Sequence, residues 1–158
     1  LLNAAAEIED LPARFLIAGR ATRYDPRLSP PGNCIIRKGH QSDHDVAQML
    51  AAADFMVLPF EDVSTSGSVM LALSNGVPAI VPETTTPGLL QEERECLFFD
   101  PDKPGDLNRA LRAAVSMPGW KRTAIASCAE ATAALYQPAE FSRRIAEALD
   151  SLVRRERN

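Results

Sequence analysis

The chain has 158 residues, 46% hydrophobic and 24% charged, with a net charge of −4. That is enough for one domain with a real core, and the acidic balance argues against a general nucleic-acid binder, which carries a basic surplus. No apolar stretch approaches the roughly 20 residues that span a bilayer, and the start, Leu1-Leu2-Asn3-Ala4-Ala5-Ala6-Glu7, lacks the basic region and cleavage pattern of a signal peptide.

A helix from Leu1 to Ile8 stops before Pro12. Arg14-Phe15-Leu16-Ile17-Ala18 reads as a buried strand ended by Gly19. The stretch from Arg20 to Gly32 carries three prolines and reads as a loop. Asn33-Cys34-Ile35-Ile36-Arg37 is the next strand. Ser42 caps a helix from Asp43 to Ala53, with Asp43 and Asp45 in its first turn. Val46, Met49 and Leu50 give that helix an apolar face at i, i+3 and i+4. Phe55 to Leu58 is the third strand.

A short helix then runs from about Ser66 to Asn75. Val69, Met70, Ala72 and Leu73 crowd it with apolar groups, which predicts cover on more than one side. Gly76 is its left-handed stop. Ala79 to Val81 is the fourth strand, Leu89 to Glu93 a short helix or turn, and Leu97-Phe98-Phe99 the last strand. Asp100 to Pro104 is a turn, with Pro104 near the start of a helix reaching about Val115. After Pro118 the chain is helical, from Gly119 to about Tyr136 and from Pro138 to about Arg155. Phe141, Ile145, Leu149 and Leu152 mark an apolar stripe on the last helix.

Strands alternating with helices at this spacing predict an α/β fold, a parallel sheet with helices on both faces. Such folds bind ligands at the carboxyl ends of their strands. Gly19, Lys38, Gly39, His40, Glu83 and Thr84 to Thr86 follow strands and are expected to line one crevice. Ser64-Thr65-Ser66-Gly67-Ser68 follows the third strand and opens a helix. Unpaired N–H groups and the positive end of the helix dipole there suit an anion, phosphate above all. The bland alternative is a cap on the helix, but five consecutive small residues exceed what a cap needs. Gly67 also allows close approach of a ligand to the backbone.

Glu61 and Asp62 precede that loop. A carboxylate there either accepts hydrogen bonds from sugar hydroxyls or is a solvated loop charge. Lys38 either neutralises phosphate or is a surface lysine, and His40 suits a polar contact to a ligand. His40, His44 and Asp43 lack a third well-placed metal ligand, so no metal is expected. Cys34, Cys96 and Cys128 read as small buried hydrophobes in a reducing compartment. Trp120, with Lys121 and Arg122, reads as a core anchor for the helical tail, the alternative being a membrane-surface or partner contact.

The run Ala52-Ala53-Asp54-Phe55-Met56-Val57-Leu58-Pro59, then Leu71-Ala72-Leu73-Ser74-Asn75-Gly76-Val77-Pro78-Ala79-Ile80-Val81, then Cys96-Leu97-Phe98-Phe99-Asp100-Pro101-Asp102-Lys103-Pro104 resembles the C-terminal domain of retaining GT-B glycosyltransferases of group 1. Phe15-Leu16-Ile17-Ala18-Gly19 extends the likeness upstream. The resemblance implies a Rossmann-like nucleotide-sugar-binding domain over residues 1–117, its first strand missing, with C-terminal helices 118–158 packing on it. It implies transfer of a hexosyl group from a nucleotide-diphosphate sugar, UDP- or GDP-linked, to an acceptor hydroxyl with retention. The donor is then a substrate, and no cofactor is expected. Ser66, Gly67 and Ser68 would hold the diphosphate, and Arg37 to His40 would approach the nucleobase.

Departures accompany the likeness. The paired glutamates of such enzymes fall on Val63 and Leu71, Glu61 or Asp62 being the candidates to replace the first. The strand-end arginine and helix-start lysine that usually reach the diphosphate are not in the chain. Neither is the N-terminal domain that would hold a saccharide or lipid-linked acceptor, so this chain alone is expected to transfer nothing. The setting implied is cytoplasmic or peripheral at a membrane, in polysaccharide biosynthesis. Two other readings share these features: a nucleotide-sugar-binding or interaction module without catalysis, and a GT-B nucleotide-sugar epimerase.

Overall fold

The structure is a computed structural model, and it describes residues 1–19, 29–59, 67–85, 90–137, 139–140, 142–143, 145–147 and 149. In chain order the described elements are α1 (Leu2–Ala6), β1 (Phe15–Gly19), β2 (Cys34–Lys38), α2 (Asp43–Ala51), β3 (Met56–Val57), α3 (Gly67–Ser74), β4 (Ala79–Pro82), β5 (Cys96–Phe99), α4 (Asp106–Val115) and α5 (Gly119–Ala134). Local chemistry sets several boundaries. Ser42 caps α2 by accepting from the Asp45 N–H at 3.2 Å, while the Asp45 carboxylate accepts from the Ser42 N–H at 3.2 Å. This reciprocal pair satisfies two donors that the first helical turn would otherwise leave open. Gly76, at φ +67°, ends the chain's path out of α3 in the left-handed region, its N–H donating to the Leu73 carbonyl at 3.0 Å.

Every strand pair among the described residues is parallel. Phe15 to Gly19 run in register with Cys34 to Lys38, Met56 and Val57 with Ala79 and Ile80, and Ala79 to Pro82 with Cys96 to Phe99. The expected alternation of parallel strands and helices is present. Among the described residues, however, the strands form two hydrogen-bonded groups, β1-β2 and β3-β4-β5, where the sequence pattern suggested one sheet. An apolar run identifies a strand, but its order depends on pairing between distant segments.

Two apolar layers cover the second group of strands. On one face Ile80, Leu97 and Phe99 pack with Ile8 and with Ala110, Leu111 and Ala114 of α4, and Phe15, Phe55 and Val57 join them. On the other, Ala79, Val81 and Cys96 pack with Val69 and Leu73 of α3 and Ala129 and Ala133 of α5. Val46 and Leu50 of α2 meet Ala72 and Met56 on that same side. Alternate residues of β4 therefore serve opposite layers, and the whole strand is buried, as a central parallel strand must be. Full burial of a side chain such as Ile80 contributes about 1.5–3 kcal/mol.

α5 is tied to the sheet by Glu95, which is only 2% exposed. Its carboxylate accepts from the Thr132 hydroxyl at 2.9 Å and from the Gln91 N–H at 3.0 Å. Arg94 adds an ion pair at 3.1 Å. Trp120 does not anchor this helix: it is 74% exposed at the N-terminal end of α5. The core contacts of α5 come instead from Ile125 and from Ala129 and Ala133, the two alanines letting the helix approach closely. The described residues between 139 and 149 are helical, with Ile145 and Leu149 exposed. Phe141 and Leu152 lie outside the described residues.

Candidate functional site

Glycines turn the chain at the carboxyl ends of β1 and β2. Gly19 has φ +139° and Gly39 φ +103°, conformations that residues with a Cβ rarely adopt. The Gly39 N–H donates to the Gly19 carbonyl at 2.9 Å, so the two strand ends are pinned to one another. Gly19, Lys38 and Gly39 are thereby brought together at one edge, and His40 follows them, exposed. Gln41 steadies the turn by donating to the Gly39 carbonyl at 3.2 Å.

In the second group of strands, β3 leads into α3 and α3 returns the chain to β4. The N-terminus of α3 therefore belongs to the carboxyl end of β3. Gly67 is its first residue and is exposed, Ser68 is half-buried, and Val69 is fully buried in the layer beneath. Such an end offers N–H groups without helical acceptors and a partial positive charge. A Cβ built on Gly67 meets no heavy atom within 4 Å among the described residues. Glycine there leaves room at the helix end, and packing does not require it. Ser64, Thr65 and Ser66, and the carboxylates Glu61 and Asp62, lie outside the described residues, as do Val63 and Thr86.

The carboxyl ends of β4 and β5 have a different character. Glu83 and Thr84 are exposed after β4, and Thr85 is buried, its N–H donating to the Pro82 carbonyl at 2.9 Å. Between these strand ends lies an open cleft of about 300 Å³, lined by Glu83, Glu92, Phe98, Phe99, Asp100, Asp106 and Arg109. Asp106 accepts from Arg109 at 2.8 Å and from the Asp100 N–H at 2.9 Å. Those bonds, Arg109 foremost, hold its carboxyl well below the usual carboxylate range. Arg109 also donates to the Phe98 carbonyl at 2.8 Å. Burial pushes the Glu92 carboxyl up, against the hydrogen bond it accepts from the Phe98 N–H.

Four carboxylates against one guanidinium make this cleft repel phosphate. An anion is better served by the N-terminus of α3, which carries no acidic residue in its first turn. Of these residues Glu83 was expected from the sequence, whereas Glu92, Asp100, Asp106 and Arg109 were not. Asp106 and Arg109, three apart on one helix face, were the available signal. The thiol of Cys96 is buried under α3 and α5, and burial pushes it far up, so it is no nucleophile at neutral pH.

The family model described as glycosyl transferases group 1 matches residues 1–117. Among solved structures, the chain is similar to sucrose-phosphate synthase from Thermosynechococcus elongatus, with a TM-score of 0.71 at 18% identity. That match covers 96% of this chain and 41% of the other, so the chain spans well under half of that protein's length. At such identity the likeness is one of fold, a GT-B glycosyltransferase architecture. No curated protein sequence matches the chain.

Proposed function

Because the chain belongs to the group 1 glycosyl transferases, we propose that it is the donor-binding half of an enzyme that moves a hexosyl group from a nucleotide-diphosphate sugar to an acceptor hydroxyl, with retention at the anomeric carbon. The observation that carries this reading is the exposed, glycine-headed N-terminus of α3 at the carboxyl end of β3. As the glycosidic bond breaks, the leaving diphosphate gains negative charge. Fixed N–H dipoles at a helix end stabilise that charge without reorganising. Gly67 and Ser68 would supply them, with Ser64, Thr65 and Ser66 completing the loop. Lys38, Gly39 and His40 would meet the nucleoside end of a UDP- or GDP-sugar. The acceptor, a saccharide or a lipid-linked sugar, would be held by polypeptide outside this chain, so the chain alone transfers nothing.

A second reading, a nucleotide-sugar-binding module without catalysis, is favoured by one feature: Val63 and Leu71 stand where paired carboxylates are expected, and Leu71 is on α3 itself, 41% exposed. The intact protein incubated with a panel of nucleotide sugars and acceptors separates these readings. Transfer with retention supports the enzyme. Tight binding without turnover supports the module, and inversion at C2 of the sugar would identify an epimerase instead.

A further inference from the structure

Among the described residues β5 is the last strand of its group, with β4 on one side and no further strand on the other. The Ala79 N–H donates to the Glu95 carbonyl at 3.4 Å and the Glu83 N–H to the Phe99 carbonyl at 3.0 Å. Alternate residues of a strand turn their backbone groups the same way, so those of Glu95, Leu97 and Phe99 face β4. Those of Cys96, Phe98 and Asp100 face outward. An outward row of this kind is a template for another strand, and chains that stay apart blunt it.

Here the row is occupied. Glu92 forms an isolated parallel bridge with Cys96, and the Glu93 N–H donates to the Cys96 carbonyl at 2.8 Å. Glu93 takes up the left-handed region, at φ +58°, where this turn is laid against β5. The Phe98 N–H donates to the Glu92 carboxylate. The Phe98 carbonyl accepts from Arg109 at 2.8 Å. The Asp100 N–H donates to the Asp106 carboxylate at 2.9 Å. Arg109 and Asp106 also bond to each other at 2.8 Å, three residues apart on α4, so one ion pair serves both positions. Pro101 follows, with no N–H to offer. Side chains from one turn and one helix thus take the places of a neighbouring strand's N–H and C=O groups. Charged groups bond more strongly than the neutral peptide groups they replace.

We propose that Glu92, Arg109 and Asp106 seal the outer edge of β5 against strand addition, and that the partner they exclude is a second copy of this chain. An antiparallel approach of two copies would set Phe98 opposite Phe98, the two exchanging both N–H···O bonds in an isologous contact. The same approach would bring Glu83, Glu92, Asp100 and Asp106 against their own copies, with only Arg109 on each side to offset them. Charge therefore opposes the contact as well. The acidic cleft gains a task in this way, independently of the donor reading.

Two measurements on the intact protein test the seal. In Glu92→Ala the Phe98 amide should exchange about a hundredfold faster than in the parent, while the Leu97 amide, which faces β4, keeps its rate within about threefold. In Glu92→Ala/Arg109→Ala both Phe98 groups are freed, and sedimentation velocity should show self-association at least about tenfold tighter than any the parent shows. Adding Phe98→Pro, which deletes the outward N–H and leaves the bonds to β4, should return that variant to the parent's state. Should the double variant unfold, Glu92→Ala, which frees the N–H alone, is sedimented in its place. A Phe98 amide as fast in the parent as in Glu92→Ala would overturn the proposal. So would a folded variant that sediments as the parent does at every concentration, or one whose self-association survives Phe98→Pro.

Discussion

Replacing Gly67 with aspartate should move stability and donor binding in opposite directions. The backbone at this position is outside the left-handed region, and an added Cβ meets nothing within 4 Å, so the side chain fits without strain. A carboxylate in the first turn of α3 complements the helix dipole, contributing about 0.3–1 kcal/mol. With a urea m-value of about 2 kcal/mol/M, the unfolding midpoint should rise by about 0.2–0.5 M. The same carboxylate would sit near the donor's phosphates. A pair of like charges about 4 Å apart costs about 1 kcal/mol in water and about 4 at an effective dielectric of 20. Taking about 2 kcal/mol for this exposed helix end, UDP or GDP should bind about 30-fold more weakly. Calorimetric titration of the intact protein and of its Gly67→Asp variant reads the binding, and urea unfolding reads the stability. A variant at least as stable as the parent that binds both nucleotides with unchanged affinity would refute the placement of the diphosphate at α3.

Other consequences concern the frame around the site. Thr132→Val removes one donor to the buried Glu95 carboxylate and should cost about 2 kcal/mol, lowering Tm by about 4–8 °C. In a Glu95→Ala background the same change should cost almost nothing, and equal costs in both would show that the pair is uncoupled. Gly76→Ala forces a Cβ into the left-handed region at φ +67°, with no clash in the structure. A loss of about 1 kcal/mol in urea unfolding is expected from conformation alone. Asp106 has a folded pKa below its unfolded value of about 3.9, lowered chiefly by Arg109. Its contribution to stability is therefore present above pH 4 and lost as pH falls through the lower, folded value. Unfolding measured from pH 7 to pH 2 should show Asp106→Asn less stable at neutral pH and closing on the parent in acid.

Much of the frame was legible because local chemistry dictates it. Ser42 with Asp45 announced the start of α2, and Gly76 the end of α3. The unbroken apolar run at Ala79 gave β4, which needs burial on both faces. Gly19 and Gly39 were expected at strand ends, and the structure joins them through one hydrogen bond. Strand order was not legible, since β1 and β3 differ from neighbouring strands only in what lies beside them. Trp120 misled because a large aromatic is usually buried, whereas α5 packs through alanines and Ile125. The acidic cleft was missed for a related reason. Glu92, Asp100 and Asp106 are scattered singly along the sequence and converge only when β5 and α4 pack together.

Donor binding is tested most directly by following the backbone amides of the intact protein while UDP and GDP are titrated in. Saturable shifts at Gly67 and Ser68, accompanied by Gly39 and His40, are the expected result. Saturable binding that leaves those four amides unmoved and shifts Glu83 and Arg109 instead would contradict it, as would no binding of either nucleotide.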